Sequence, residues 1–451
     1  MSKTALHSPS SQGSYLQNIL AGLTVSFVAI SLGAAFGVMS GRGAFAGIIS
    51  AGLIAFVTSL LGGTRIQCSG PTAPMTAVTA TVVAMAMTEL PTVLPGVNAD
   101  HFINIVLLLT GAILILMAAL RMGRFIKVVP AVVVSGFMNG IAVLIWVGEL
   151  KSLFGWGKTG LTGSLGVNVA IALITLILLF SMPPLIRKGG ATLSSFLPVT
   201  LVTIILMSST GFVLSLNIEM VHLGTGLHSV SQLLDMLKTQ IPTSFSMDLI
   251  FVALPFALSL SLLAYLDTLL TSLVVDQKMI DIFNKEEKTA QNKELFAQGL
   301  ANALVAFVGG IPGAQATIRS VLILKEKATM RLAGILTGVF VLLEMLLFQD
   351  LVSFIPKAVF AGLLIKVGYD VMDWNPILVW LRELKTKPSI RIVPHLDMLF
   401  IAGTTVVTVV WNLNAAVIGF TLLYYMRKRV KPQTENLDSS VSHPFGDPVS
   451  E

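Results

Sequence analysis

Long apolar runs separated by short polar turns occupy this chain from about Gln17 to Met426. A membrane-spanning helix needs about 20 residues, and roughly 29 residues per span and turn give about fourteen spans. The pattern predicts them at 17–39, 43–62, 72–88, 102–121, 128–153, 164–182, 196–216, 247–275, 293–310, 313–325, 330–351, 356–371, 392–410 and 412–427. Segment 372–388 alternates as an amphipathic helix and is predicted to lie at the interface. The first run is not a cleavable signal: only Lys3 is basic before it, and no small-residue cleavage site follows a short apolar core.

Composition agrees with that pattern. Charged residues make up 12% and hydrophobic residues 54% of the 451, which excludes an ordinary soluble domain. One cysteine, Cys68, excludes a disulfide scaffold. The net charge of +6 is spread over many short loops, so no nucleic-acid surface is expected.

The basic residues test the span count. With the N-terminus in the cytoplasm, 22 of the 29 Lys and Arg fall on the inner side. Six fall outside: Arg42, Lys151, Lys158, Lys238, Lys357 and Lys366. Arg319 remains inside the membrane. That imbalance obeys the positive-inside rule, and an odd error in the count would scramble it.

The longest outer connection, about 217–246, divides the spans into seven and seven, so the second half must be inverted relative to the first. The expected organisation is a cytoplasmic tail at 1–16, a first repeat at 17–217, an extracytoplasmic linker at 218–246, a second repeat at 247–428 and a disordered cytoplasmic tail at 429–451. Corresponding sites carry the same punctuation. Ser69-Gly70-Pro71-Thr72-Ala73-Pro74 precedes the third span, and Gly309-Gly310-Ile311-Pro312-Gly313-Ala314 precedes the tenth. Residues 73–88 and 314–324 would be roughly 24 and 17 Å long, too short to cross a core of about 30 Å. Two half-helices with free N–H groups meeting near the midplane would make a pocket for an anion. The alternative is loop punctuation between full spans.

Charges inside the apolar runs supply the candidate chemistry. Asp267 lies in the eighth span, with Thr271 one turn on along the same face. A carboxylate and a hydroxyl are hard oxygen donors suited to sodium or a proton. The alternative is an ion pair with Arg319, which is read as a turn and a half into the tenth helix. The guanidinium fork of Arg319 also suits an oxyanion. Glu344, in a run of leucines, either faces a groove or snorkels outward and stays outside the site. Glu149 and Lys151 read as interfacial. The six histidines read as tail or loop residues with no metal cluster. No catalytic motif emerges, so no enzyme and no cofactor are expected, apart from sodium as coupling ion.

Several motifs occur in an order that is familiar. Gly22-Leu23-Thr24-Val25, Ser69 to Thr76, Lys127-Val128-Val129-Pro130 to Phe137, Leu266-Asp267-Thr268-Leu269-Leu270-Thr271-Ser272, Asn292-Lys293-Glu294-Leu295 with Gln298-Gly299-Leu300-Ala301-Asn302, and Gly309 to Ser320 resemble the SulP family of inorganic anion transporters. The resemblance covers about 20–430. It implies an all-α polytopic membrane protein of about fourteen transmembrane segments, with two inverted seven-segment repeats arranged as uracil-transporter-like core and gate domains. Spans one to four and eight to eleven would form the core, and substrate would sit between the third and tenth half-helices. Transport would be an elevator movement of core against gate.

Asp267 and Thr271 resemble most the sodium-dependent bicarbonate transporters of cyanobacteria within that family. The resemblance implies that Thr317 and the backbone at Gln315 join Asp267 and Thr271 at sodium, while Thr72, Ala73 and Ala316 line the anion site beside Arg319. Gln315 stands where a small residue is usual, and Arg319 resembles the basic residue of other members. The family usually carries a cytoplasmic STAS domain. The roughly 20 residues after Lys431 are too few to bury such a core.

The reading is a secondary transporter in a bacterial-type inner membrane, both termini cytoplasmic, taking up bicarbonate with sodium. The alternatives are a proton-coupled sulfate symporter, a chloride–bicarbonate exchanger or a passive anion channel. The expected partners are the small anion and the lipid bilayer, with a homodimer left open.

Overall fold

In this computed structural model the described residues are 15–156, 161–188, 199–214, 217–220, 235, 238–243, 246–352, 354–386, 392–411 and 413–430. Fourteen principal helices stand where spans are predicted. The first half holds α1 (Tyr15–Ser40), α2 (Ala44–Leu61), α3 (Ala73–Thr88), α4 (Ala99–Ala119), α5 (Ala131–Phe154), α6 (Leu165–Lys188) and α7 (Val199–Val213). The second holds α8 (Met247–Phe283), α9 (Gln291–Ala306), α10 (Thr317–Lys325), α11 (Arg331–Val352), α12 (Lys357–Val371), α13 (His395–Val410) and α14 (Leu413–Val430). The amphipathic helix Trp374–Thr386 lies between α12 and α13. Among the described residues, helices α1, α2, α4, α5, α6 and α8 are at least 18 residues long and apolar enough to cross a bilayer.

Local chemistry sets the ends. The Asn98 side chain accepts the N–H groups of Asp100 and His101 at the start of α4, and the Ser246 hydroxyl accepts that of Leu249 at the start of α8. Pro74 sits in the first turn of α3, where its missing N–H costs nothing. Asn284 closes α8 in the left-handed conformation.

The helix contacts display an internal two-fold. The pairs α1·α11, α2·α11, α1·α3 and α1·α10 recur seven helices later as α8·α4, α9·α4, α8·α10 and α8·α3. The pair α5·α13 likewise mirrors α12·α6, and α6·α7 mirrors α13·α14. Helices α1–α4 and α8–α11 pack among themselves as the core, and α5–α7 with α12–α14 form the gate. Among the described residues, lighter contacts such as α1·α7, α1·α12, α3·α5 and α8·α14 join the two bodies.

On the two-fold, β1 (Ser69–Gly70) and β2 (Ala314–Gln315) cross as an antiparallel pair, with Ser69 opposite Gln315 and Gly70 opposite Ala314. At Gly70 and the neighbouring Gly313 a side chain cannot be accommodated. A Cβ on Gly313 would lie 2.3 Å from the Gly70 carbonyl carbon, and one on Gly70 would lie 2.7 Å from Arg319 Nη1.

Several expectations need correcting. The tenth helix begins at Thr317, not 313, because Ala314 and Gln315 spend their backbone groups on the strand pair. Arg319 is therefore in its first turn. The eighth helix runs past 275 to Phe283, 37 residues in all or about 55 Å. Its polar last turns belong to a helix leaving the apolar layer, not to a loop. Lys366 lies inside α12, as the predicted span 356–371 has it, paired with Asp370 one turn on at 2.5 Å. Glu149, near the end of α5, is buried against protein. His101 and His395 belong to the first turns of α4 and α13. The 431–451 tail and most of the 218–246 linker lie outside the described residues.

Candidate functional site between two half-helices

The crossing strands aim two short helices at each other. Each leaves its first N–H groups without intrahelical partners, and neither Thr72 nor Ala316, the residues before them, caps its helix with a side chain. The Thr72 hydroxyl instead donates to Asp267 Oδ2 at 2.7 Å, tying α3 to α8. Ala73 opens α3 and is buried. Ala316 and Thr317 at the mouth of α10 stay partly exposed, as does Asp267.

Arg319 is 1% exposed. Its Nη2 donates to the Pro71 carbonyl at 3.0 Å, so it reaches across to the segment entering α3. Its Nε and Nη1 are buried without a partner. Buried polar groups are otherwise nearly always satisfied, so this guanidinium has two donors to offer. The ion-pair alternative for Asp267 is not realised: among the described residues the two charges form no salt bridge, and each bonds to the entrance of α3 instead.

The residues expected at a coupling ion lie on α8, α10 and β2. Thr271 on α8 and Thr317 on α10 share a hydrogen bond of 2.7 Å. The Gln315 backbone N–H donates to the Thr268 hydroxyl at 3.3 Å. From α8, Asp267 is thus bonded to Thr72 and Thr271 to Thr317. One carboxylate among hydroxyls is a hard-oxygen set.

Helix α9 holds both crossing segments. Glu294 is fully buried, and its Oε2 accepts from the Gly63 N–H at 2.8 Å, the Thr64 N–H at 2.9 Å and Gln67 Nε2 at 3.0 Å. Gln298 Nε2 donates to Ser69 Oγ at 2.6 Å and to Glu294 Oε1 at 3.1 Å. One turn on, Asn302 accepts the Gly313 N–H at 2.8 Å and donates to the Gly313 carbonyl at 2.9 Å. On α2, Ser50 Oγ accepts the Ile311 N–H at 2.7 Å. Sequence reasoning missed these positioning residues and Thr268. The i, i+4, i+8 spacing of Glu294, Gln298 and Asn302 marked one polar helix face but not what it meets. Glu344, whose direction the sequence left open, points inward to the Ser26 hydroxyl of α1 at 2.6 Å.

Comparison with known proteins supplies the frame. The model of the sulfate permease family matches residues 15–388. The bicarbonate transporter BicA of Picosynechococcus is 30% identical over 372 residues, 79% of this chain and 62% of that protein. The putative sulfate transporter YvdB of Bacillus subtilis is 26% identical over 450 residues, 95% of this chain and 77% of that protein. The chain spans about three-fifths of the length of the two bicarbonate transporters it matches. Among solved structures, the transmembrane domain of a cyanobacterial BicA superposes with a TM-score of 0.73 at 27% identity, covering 89% of this chain and 97% of that one. Murine Slc26a9 in its inward-facing state gives 0.69 at 14% identity, covering 94% and 70%, and shares the fold.

Proposed function

The chain belongs to the sulfate permease family, and from that premise we propose that it is a secondary active transporter of a small inorganic oxyanion, taking up bicarbonate with sodium. The observation that carries the reading is Arg319, buried between two half-helix N-termini with two donors unspent. The anion would lie against the N–H groups of Ala73 and Thr317, with Thr72 and Ala316 beside it and the guanidinium behind. Sodium would sit among Asp267, Thr271, Thr317 and the Gln315 backbone. Asp267 attracts the cation, and the Thr72 hydroxyl that bonds Asp267 links the ion side to the anion side.

The core and gate share only light contacts, which supports an elevator movement in which the core carries the site past the gate. The protein would reside in a bacterial inner membrane with both termini inside, as the distribution of basic residues favours.

A second reading, sulfate, draws on the same Arg319. Two half-helix ends contribute about half a charge each. With Arg319 added and Asp267 subtracted, the pocket carries about one positive charge, and about two with a cation bound. With a cation bound, a divalent anion balances that charge in full, which is what favours this second reading.

The test is flux into proteoliposomes, scanning bicarbonate, sulfate and chloride with and without a sodium gradient. Uphill bicarbonate uptake that requires sodium is expected. Proton-driven sulfate uptake would establish the second reading. Obligatory chloride exchange would make the chain an exchanger, and dissipative flux alone would make it a channel.

A further inference from the structure

The seam between α1 and α11 buries a carboxyl group that the anion site does not use. Glu344 lies on the inward stripe of α11 with Thr337, Val341 and Met345, while Leu343 and Leu347 are exposed. Its Oε1 is 2.6 Å from Ser26 Oγ, and the same Ser26 Oγ is 2.7 Å from the Leu23 carbonyl. Its Oε2 is buried without a partner.

A serine hydroxyl carries one proton, and a carbonyl can only accept. The Ser26 proton can therefore serve Glu344 or the Leu23 carbonyl, but not both. An ionised carboxylate would have at most that one donor, taken from Leu23, with its other oxygen buried and bare. A protonated Glu344 completes the chain: its O–H donates to Ser26 Oγ, whose O–H donates to Leu23. The separation suits O–H···O.

Nothing charged nearby changes that accounting. Helix α1 carries no acidic, basic or histidine residue, and its one titratable side chain, Tyr15, is 71% exposed at the far end. Helix α2 carries none. On α11 itself, Arg331 bonds the Ser59 and Gly62 carbonyls, thirteen residues or about 20 Å away along the axis. The side chain of Asp350 lies outside those described.

We propose that Glu344 is a proton-binding site of the core, occupied in this structure, and that transport requires its occupancy. Loss of the proton breaks the carboxyl O–H bond, releases H⁺ to water and leaves the electron pair as a bare charge between two packed helices. Such a charge is strongly unfavourable inside a membrane protein. Helix α1 also packs on gate helices α7 and α12, so a disturbed α1 meets the surface over which the core must move.

The experiment uses the full chain in proteoliposomes, with wild type, Glu344→Gln and Ser26→Ala. Glutamine keeps a donor toward Ser26 and cannot ionise. Infrared spectroscopy near neutral pH should show a protonated-carboxyl band that Ser26→Ala shifts and Glu344→Gln removes. Uptake of whichever of bicarbonate or sulfate the protein accumulates, at fixed anion concentration, should fall on the alkaline side. Glu344→Gln should lose that alkaline limb and keep the neutral-pH rate. A band unchanged by both substitutions, or an alkaline limb that survives Glu344→Gln, overturns the proposal. The infrared readout needs no substrate, so its failure is separate from failure of the bicarbonate–sodium reading.

Discussion

The two crossing segments are mates under the internal two-fold, yet they are built differently. The segment entering α3 is held by a buried carboxylate: Glu294 collects two backbone N–H groups and the amides of Gln67 and Gln298. The segment entering α10 is held by neutral partners, Asn302 at Gly313 and Ser50 at Ile311. Charge chemistry is reversed between them. The α3 entrance offers Thr72 and a carbonyl, while the α10 side brings Arg319 and the Thr317 hydroxyl. Symmetry fixes where two half-helices meet. The residues that break symmetry differ in charge: Glu294 anchors the α3 segment as a wall, while Arg319 and Thr317 stand on the α10 side.

The largest effect should come from removing the wall's anchor. Glu294→Ala leaves four donors that had pointed at one carboxylate, each costing up to about 1–3 kcal/mol when buried and unmet. Their sum approaches the whole stability of a typical domain, about 5–15 kcal/mol. We expect little monodisperse protein in detergent. Asn302→Ala strands two groups of Gly313, and that variant should fold with a lowered melting temperature. Thermal unfolding of both variants checks the contrast, and equal melting of the two would remove it.

Next comes the charge on the ion side. Asp267→Asn keeps an acceptor for Thr72 and removes the attraction for a cation. Expression should persist and sodium-driven accumulation should vanish. Uphill transport with unchanged sodium dependence would show that Asp267 does not couple the ion. A change confined to pH dependence would make the coupled ion a proton.

Arg319→Ala tests the other side. Losing one charge-assisted contact costs about 1.5–3 kcal/mol, roughly ten- to a hundredfold in anion affinity. The loss should be larger for sulfate than for bicarbonate, because a divalent anion draws more on the fixed charge. Calorimetric titration of the single variant and of its double with Asp267→Asn gives the answer. Full anion affinity in the double variant would mean that Arg319 only balances Asp267.

The apolar runs made the helices legible, because a lipid-facing helix must be apolar along its whole length. Gly70, Pro71, Pro312 and Gly313 made the half-helices legible, because little else stops a helix within the membrane. The start of α10 was misplaced because pairing of Gly70 with Ala314 joins residues far apart in sequence, and no local propensity records it. The end of α8 was misplaced because Asp276, Lys278 and Asp281 are polar, and a polar helix outside the bilayer looks like a loop. Asp267, Arg319 and Thr271 stood out as polar residues in apolar surroundings. Thr268 did not, since a threonine in a helix is ordinarily satisfied by its own backbone. Glu294 and Gln298 gave a periodic face without its partner.

The smallest expected effect separates two threonines of α8, Thr268 and Thr271, three positions apart. Thr271→Val keeps the β-branched shape and removes one neutral hydroxyl, whose partner is the Thr317 hydroxyl at 2.7 Å. Thr317 is partly exposed and can turn to water, so little stability should be lost. If both hydroxyls coordinate sodium, the change should weaken apparent sodium affinity by about 0.5–1.5 kcal/mol, roughly two- to tenfold. Anion affinity at saturating sodium should hold. Thr268→Val is the control: its hydroxyl accepts the Gln315 N–H, and valine strands that donor where the chain is buried. That variant should melt lower, with its sodium affinity unchanged in the folded fraction. Sodium-dependence curves and melting temperatures for the pair decide the matter. A sodium shift in Thr268→Val equal to that in Thr271→Val would mean that the effect travels through the position of α10 and not through a lost ligand.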